Sequence, residues 1–225
     1  MFKLVLADLQ YGLCREFEQK FEGVEKVSVH HGQFEDVDFD CVVSAANSFG
    51  LMDGGVDGAI TMMFGEQLMK RVQTRIINEF GGEQPVGTSF VIRATEHSIS
   101  TNGPHVKGKD KYVAHTPTMT IPKDIRNTNN VYMAMKAMLL AVKRHNKLIN
   151  RACAEAGEVG VQIYNQRIIE TVVCTGLGTF CGNVPFEKAA REMRLAYDHV
   201  TNPPTQLDWD FAVKRNNEIF LTKIN

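Results

Sequence analysis

The chain is poor in net charge, in proline and in tryptophan, and it contains no apolar run long enough to span a bilayer. Lys and Arg number 25 against 26 Asp and Glu, for a net charge of -1, so no broad positive field gathers nucleic acid or an acidic membrane face. A phosphate-bearing partner must then be small and locally held. The five cysteines (Cys14, Cys41, Cys153, Cys174, Cys181) form no C-x-x-C pair and mostly lie in apolar runs, the pattern of reduced core thiols. His30, His31 and Cys41 match no closed zinc set, because alternation along a strand sends the two histidines to opposite faces, and no metal is expected. No G-K-[ST] follows a glycine-rich turn, which excludes a P-loop. The opening MFKLVLADLQ meets an acid at Asp8, too early for a signal h-region, so a soluble, cytoplasmic protein is expected.

What is present is a sizeable apolar fraction, 44% of 225 residues, enough for one core and one domain over 1–225. Six short β-rich runs stand out: KLVLADL, KVSVHHG, DCVVSAAN, TSFVIRA, KYVAHTP and ETVVCTG. Helical patterns separate several of them. Ile60, Phe64, Leu68, Val72, Ile76 and Phe80 recur every fourth residue up to Gly81-Gly82, with Gly65 placed to bend or divide the stripe. A second long helix is expected from Asn130 to Ala156, stopping at Gly157, and a third follows Pro185. Strands alternating with helices predict an α/β sandwich. Loops are expected over 96–110 and 116–130, and a C-terminal extension over 201–225 anchored by Trp209.

Two glycine-rich turns each follow a strand and precede a helix: NSFGLMDGGVDGAI and CTGLGTFCGNVPFEKAA. Such a turn offers backbone N–H groups at a helix N-terminus, where the dipole favours an anion and glycine admits a close ligand. Two of them at one sheet edge would clamp a diphosphate, whereas either alone is satisfied by a tight turn. Gly176, Gly178 and Gly182 spell G-x-G-x-x-x-G, but too little chain follows them for a dinucleotide-binding unit.

The stretch DCVVSAANSFGLMDGGVDGAI resembles the macro domain signature, and YVAHTPTM and GLGTFCGNVPFEKAAREM resemble that family's later strand and second phosphate loop, the whole in the manner of a microbial or phage-like branch. The likeness covers roughly residues 26 to 200. It implies a three-layer α/β/α sandwich with a mixed, mostly parallel central sheet that binds ADP-ribose across the strand ends without a cofactor. Carried over by position, Ala46, Gly54, Gly55 and Val56 line the diphosphate and distal ribose. Gly176, Leu177, Gly178, Thr179, Phe180, Cys181 and Gly182 close from the other side, with Phe180 against the ribose. Asn47 positions the distal ribose and Asp57 activates water at the anomeric carbon, a role that a carboxylate suits chemically. Asp57 as a helix-start acid and Asn47 as a turn residue are the plain alternatives.

Three positions depart from the family pattern. Gln33 stands where many members have an Asp that reads the adenine amino group, Ser44 replaces the first Asn of the motif, and Asp53 replaces the leading glycine. His115, at a strand end, is read as a hydrogen-bonded core residue, with an accessory ligand or proton-carrying role as the alternative. Three functions follow: hydrolysis of an ADP-ribose derivative, either ADP-ribosylated protein or ADP-ribose 1″-phosphate; a non-catalytic ADP-ribose reader; or an interaction protein that kept the fold without the ligand.

Overall fold

The computed structural model describes residues 1–94, 111–164 and 167–220, with the backbone alone for 156–164. The expected loop over 96–110 therefore lies wholly outside the described residues. The six β-rich runs become six strands: β1 Lys3–Asp8, β2 Val27–His31, β3 Cys41–Asn47, β4 Phe90–Arg93, β5 Tyr112–Met119 and β6 Thr171–Cys174. They form one sheet in the order β2-β1-β6-β3-β5-β4, parallel throughout except for the antiparallel β4–β5 edge pair.

Alternation along the strands feeds two apolar layers, because successive side chains leave opposite faces of a strand. Leu4, Leu6, Cys41, Val43, Tyr112, Val172 and Cys174 enter one core with α1 (Tyr11–Lys20), α4 (Asn130–Tyr164) and α5 (Phe186–Thr201). Val5, Ala7, Val42, Val113 and Val173 face α2 (Gly55–Phe64) and α3 (Glu66–Phe80) on the other side. This is the three-layer, mostly parallel arrangement. Central strands covered on both faces read as continuous apolar runs, which is why they stood out in the sequence.

Several local expectations are refined or corrected. Gly65, at φ 88, divides the apolar stripe into α2 and α3, while Ile60, Phe64, Leu68, Val72 and Ile76 remain one buried row across the break. Helix α4 continues through Gly157 to Tyr164. A helix-interior glycine costs only about 1 kcal/mol relative to alanine, too little to stop a helix already packed upstream. The segment 116–119 belongs to β5 and only the remainder of that stretch is loop. Trp209 is not an anchor: it is 84% exposed at the start of α6 (Trp209–Phe220). That helix is held near its far end, where Glu218 Oε2 lies 3.0 Å from His199 Nε2 and His199 Nδ1 meets the Tyr132 hydroxyl at 3.0 Å. Among the described residues no helix is long and apolar enough to cross a membrane.

Candidate functional site

Strands β1, β6, β3 and β5 run parallel and end at one edge. The chain leaves β1 into α1 on one face and leaves β3 towards α2 on the other, with β6 between them. Divergence of this kind opens a crevice at the carboxyl ends of the strands. Both glycine-rich turns lie there.

The first turn starts with a register shift between Ala46 and Asn47, where the pairing of β3 with β5 slips by one residue so that Asn47 faces Met119. The Asn47 side chain closes the turn on itself: Nδ2 donates to the Leu51 carbonyl at 2.8 Å, and Oδ1 accepts the N–H groups of Phe49 at 3.0 Å and Leu51 at 3.3 Å. Asp53, Gly54 and Gly55 are exposed, Val56 is half-buried, and Ala46 is buried beneath them. A Cβ at Gly54 or Gly55 meets nothing within 4 Å, so the backbone at the start of α2 faces open space.

Asp57, the third residue of α2, is only 7% exposed. Ser44, fully buried on β3, donates its hydroxyl to Asp57 Oδ1 at 2.6 Å. Burial pushes the Asp57 carboxyl up to about 6; the Ser44 hydrogen bond opposes that rise and the Asp53 charge adds to it. A carboxyl with its midpoint just below neutrality is suited to general-base work.

His115 pairs in register with Ser44 across β5 and β3, yet it belongs to the core. It is fully buried, stacked on Phe90 at 5.3 Å, and joined through Nδ1 to Gln84 Oε1 at 2.7 Å. The Gln84 amide donates to the His115 carbonyl, so Nδ1 carries the ring proton. Burial holds its pKa down at about 3, and the ring is neutral at any working pH.

The second turn, following β6, is tied more tightly. Gly176 donates its N–H to Asp8 Oδ2 at 3.0 Å, and Thr179 donates its hydroxyl to the Gly176 carbonyl at 3.2 Å. The Gly178 carbonyl accepts from Val184 at 3.1 Å and the Gly182 carbonyl from Ile125 at 2.9 Å. Leu177 is buried, Cys181 is exposed, and Phe180 projects 83% exposed from the loop. Gln33 is exposed after β2, just before a single 3-10 turn at Phe34–Asp36.

The fold thus gathers Ser44, Ala46, Gly54, Gly55, Val56 and Asp57 at the end of β3, and Gly176 to Gly182 beside them after β6. Gln33 stands at the edge, about three strand spacings or roughly 14 Å from β3. His115 lies beneath the crevice. Asp8 went unassigned in the sequence, although its place at the end of a strand marked it as an edge residue. Among the described residues no three His, Cys, Asp or Glu side chains are grouped to hold a metal ion.

A family model described as Macro domain matches residues 43–193. An uncharacterized protein of Aquifex aeolicus is 30% identical over 167 residues, covering 74% of this chain and 78% of its own. A macro domain-containing protein of Mesorhizobium japonicum is 33% identical over 91 residues, 40% of this chain and 50% of the relative. Among solved structures, the macrodomain of Mycobacterium tuberculosis DarG superposes with a TM-score of 0.48 at 16% identity, covering 75% of this chain and 88% of that one.

Proposed function

The chain belongs to the macro domain family, and from that premise we propose that it binds ADP-ribose, or a molecule carrying it, along the carboxyl ends of β2, β1, β6 and β3, and hydrolyses the bond at the distal ribose. One observation carries the reading: Asp57 is a nearly buried carboxyl, with its pKa raised to about 6, at the end of β3 beside glycines whose backbone faces open space. Strongly perturbed titratable groups beside a crevice concentrate at functional sites.

In this reading the diphosphate lies between the Gly54–Gly55 backbone and the loop from Gly178 to Gly182, with Phe180 folding over the sugar. Asp57, ionised at neutral pH, takes a proton from a water as its oxygen bonds to the anomeric carbon. The bond from that carbon to the protein side chain or phosphate breaks, its electron pair stays on the leaving oxygen, and the proton taken by Asp57 passes to that oxygen or to solvent. A carboxylate near the anomeric carbon also stabilises the positive charge that develops there. Asn47 acts by holding the 47–51 turn, since both ends of its amide are engaged in it. Gln33 meets the base at the far end. The expected partners are free ADP-ribose or an ADP-ribosylated protein in a cytoplasmic setting.

A reader without chemistry is the second reading, favoured by the small exposed face of Asp57. Calorimetric titration with ADP-ribose, with AMP and NAD as controls, tests binding; incubation with ADP-ribosylated protein and with ADP-ribose 1″-phosphate tests turnover. Selective binding with product release, lost in Asp57→Ala, supports the hydrolase. Binding with no product leaves the reader, and no heat with any of the three removes both.

A further inference from the structure

We propose that Ser44 is a positioning residue for this reaction, acting through Asp57: its hydroxyl, donated to Oδ1, turns the carboxylate so that its remaining oxygen is presented at the crevice. The proposal rests on the hydrolase reading above. Ser44 is of an anomalous residue type for its surroundings. Along β3, Val42, Ser44 and Ala46 leave the same face of the strand, towards the layer filled by Ile60, Phe64, Leu68 and Val72. An apolar side chain at 44 would suit that layer, and Ser44 is 0% exposed, shut off from bulk solvent and from the open crevice.

Stability does not account for the pair. Replacing two buried hydrogen-bonding partners with apolar groups of similar shape is often neutral or favourable, whereas deleting one partner leaves the other unpaired. A hydroxyl kept in this layer and bonded at 2.6 Å to a carboxyl 13 residues further on therefore serves the carboxyl. A carboxylate with one oxygen fixed by a short donor from a rigid central strand has lost its freedom to rotate. Supporting a reacting group from a packed element is how such a group is held to its working geometry.

The electrostatic surroundings are few. Ser44 faces Asp57 from β3, Asp53 acts on it from the loop as a like charge, and the neutral ring of His115 stands on β5 beside Ser44. The buried residues of α3 on this side are the apolar Leu68, Val72 and Ile76. Among the described side chains Ser44 is thus the one that favours the charged form of Asp57, alongside the N-terminal end of α2 in whose first turn Asp57 lies. A hydrogen bond donated to a carboxylate lowers its proton affinity, so losing Ser44 moves the Asp57 midpoint further above about 6.

The test compares wild type with Ser44→Ala and Ser44→Thr in two ways. One is the pH dependence of kcat/KM for ADP-ribose release. The other is a carbon-detected NMR titration of the Asp57 carboxyl in the ligand-free protein, which needs no turnover. In Ser44→Ala the acid limb of the rate profile and the carboxyl midpoint move up together by about one unit, a loss of about tenfold in rate on that limb. Ser44→Thr, which keeps the hydroxyl, returns both towards wild type. Should Ser44→Ala unfold, Ser44→Cys, a weak donor of similar size, gives the same direction of shift. A folded Ser44→Ala protein with wild-type profile and titration overturns the role of Ser44 while leaving the hydrolase intact. No wild-type turnover at any pH removes the hydrolase reading, and Ser44 with it as a residue of the reaction; a titration that still moves then leaves the Ser44–Asp57 coupling standing as a property of the binding site.

Discussion

The carboxylate of Asp8 accepts the N–H of Gly176 at 3.0 Å, joining two residues 168 positions apart at the mouth of the crevice. Its other oxygen accepts the Gln10 N–H at 2.9 Å, and its backbone carbonyl accepts from Gly32 at 3.1 Å. One residue at the end of β1 thus ties together the turns that follow β2 and β6, and it lies outside the matched segment 43–193. Asp8→Ala leaves the Gly176 amide without its acceptor and should cost about 1–3 kcal/mol in thermal or urea unfolding. Asp8→Asn keeps an acceptor oxygen and should recover most of that loss. By removing a negative charge beside the second loop it should also tighten ADP-ribose binding at low salt, an effect that fades as salt is added. Titration at two ionic strengths checks this; equal affinities for wild type and Asp8→Asn at low salt would place the diphosphate away from this carboxylate.

The glycines of the two turns should separate by experiment. Gly54 has an extended backbone at φ -151 and an open flank, so Gly54→Val is accommodated without strain yet fills the space a ligand would use. The expected outcome is an unchanged melting temperature with ADP-ribose affinity reduced by about tenfold or more, the scale of one lost close contact. Gly182 is the opposite case. A Cβ there stands 2.4 Å from the Gly178 carbonyl oxygen, so Gly182→Ala must displace the loop and should lower melting temperature and affinity together. Paired melting and titration curves decide the matter; a Gly54→Val protein that melts early but binds normally would make Gly54 a turn residue alone.

What was legible in the sequence divides along physical lines. The strands were readable because parallel strands buried on both faces are apolar runs bounded by turn residues, and the α2–α3 break was readable because Gly65 interrupts a stripe that otherwise keeps its period. Helix α1 was not, having only Leu13, Cys14 and Phe17 buried among ten residues. Asp57 and the glycine turns were legible as residue types at a fixed spacing. Which polar atoms were already engaged was not: the amide of Asn47 closes its own turn, Asp8 meets a residue from the far end of the chain, and Ser44, which looked like a departure from pattern, holds Asp57. Such pairings depend on how strands are brought side by side, and no local periodicity encodes that.

Asp57 and His115 should leave opposite marks on stability. Asp57 has its folded value raised from 3.8 to about 6, so between those pH values the folded state holds the proton more tightly and stability falls as pH rises. His115 has its folded value lowered from 6.5 to about 3; across that window the unfolded state binds the extra proton, and stability rises with pH. Each slope is about 1.4 kcal/mol per pH unit, and over their shared range they oppose one another. Asp57→Asn removes the first slope alone while its side-chain oxygen still accepts from Ser44. Urea unfolding at pH 4, 5, 6 and 7 should therefore show the variant gaining on wild type as pH rises, by on the order of 3 kcal/mol at pH 7, with the difference closing near pH 4. A difference that does not change with pH would mean that the Asp57 carboxyl titrates as an exposed one does. A rising difference would show that the protein carries, at neutral pH, a carboxylate that weakens its fold. A group kept at such a cost calls for a role beyond folding, because the fold alone would be better served by an amide.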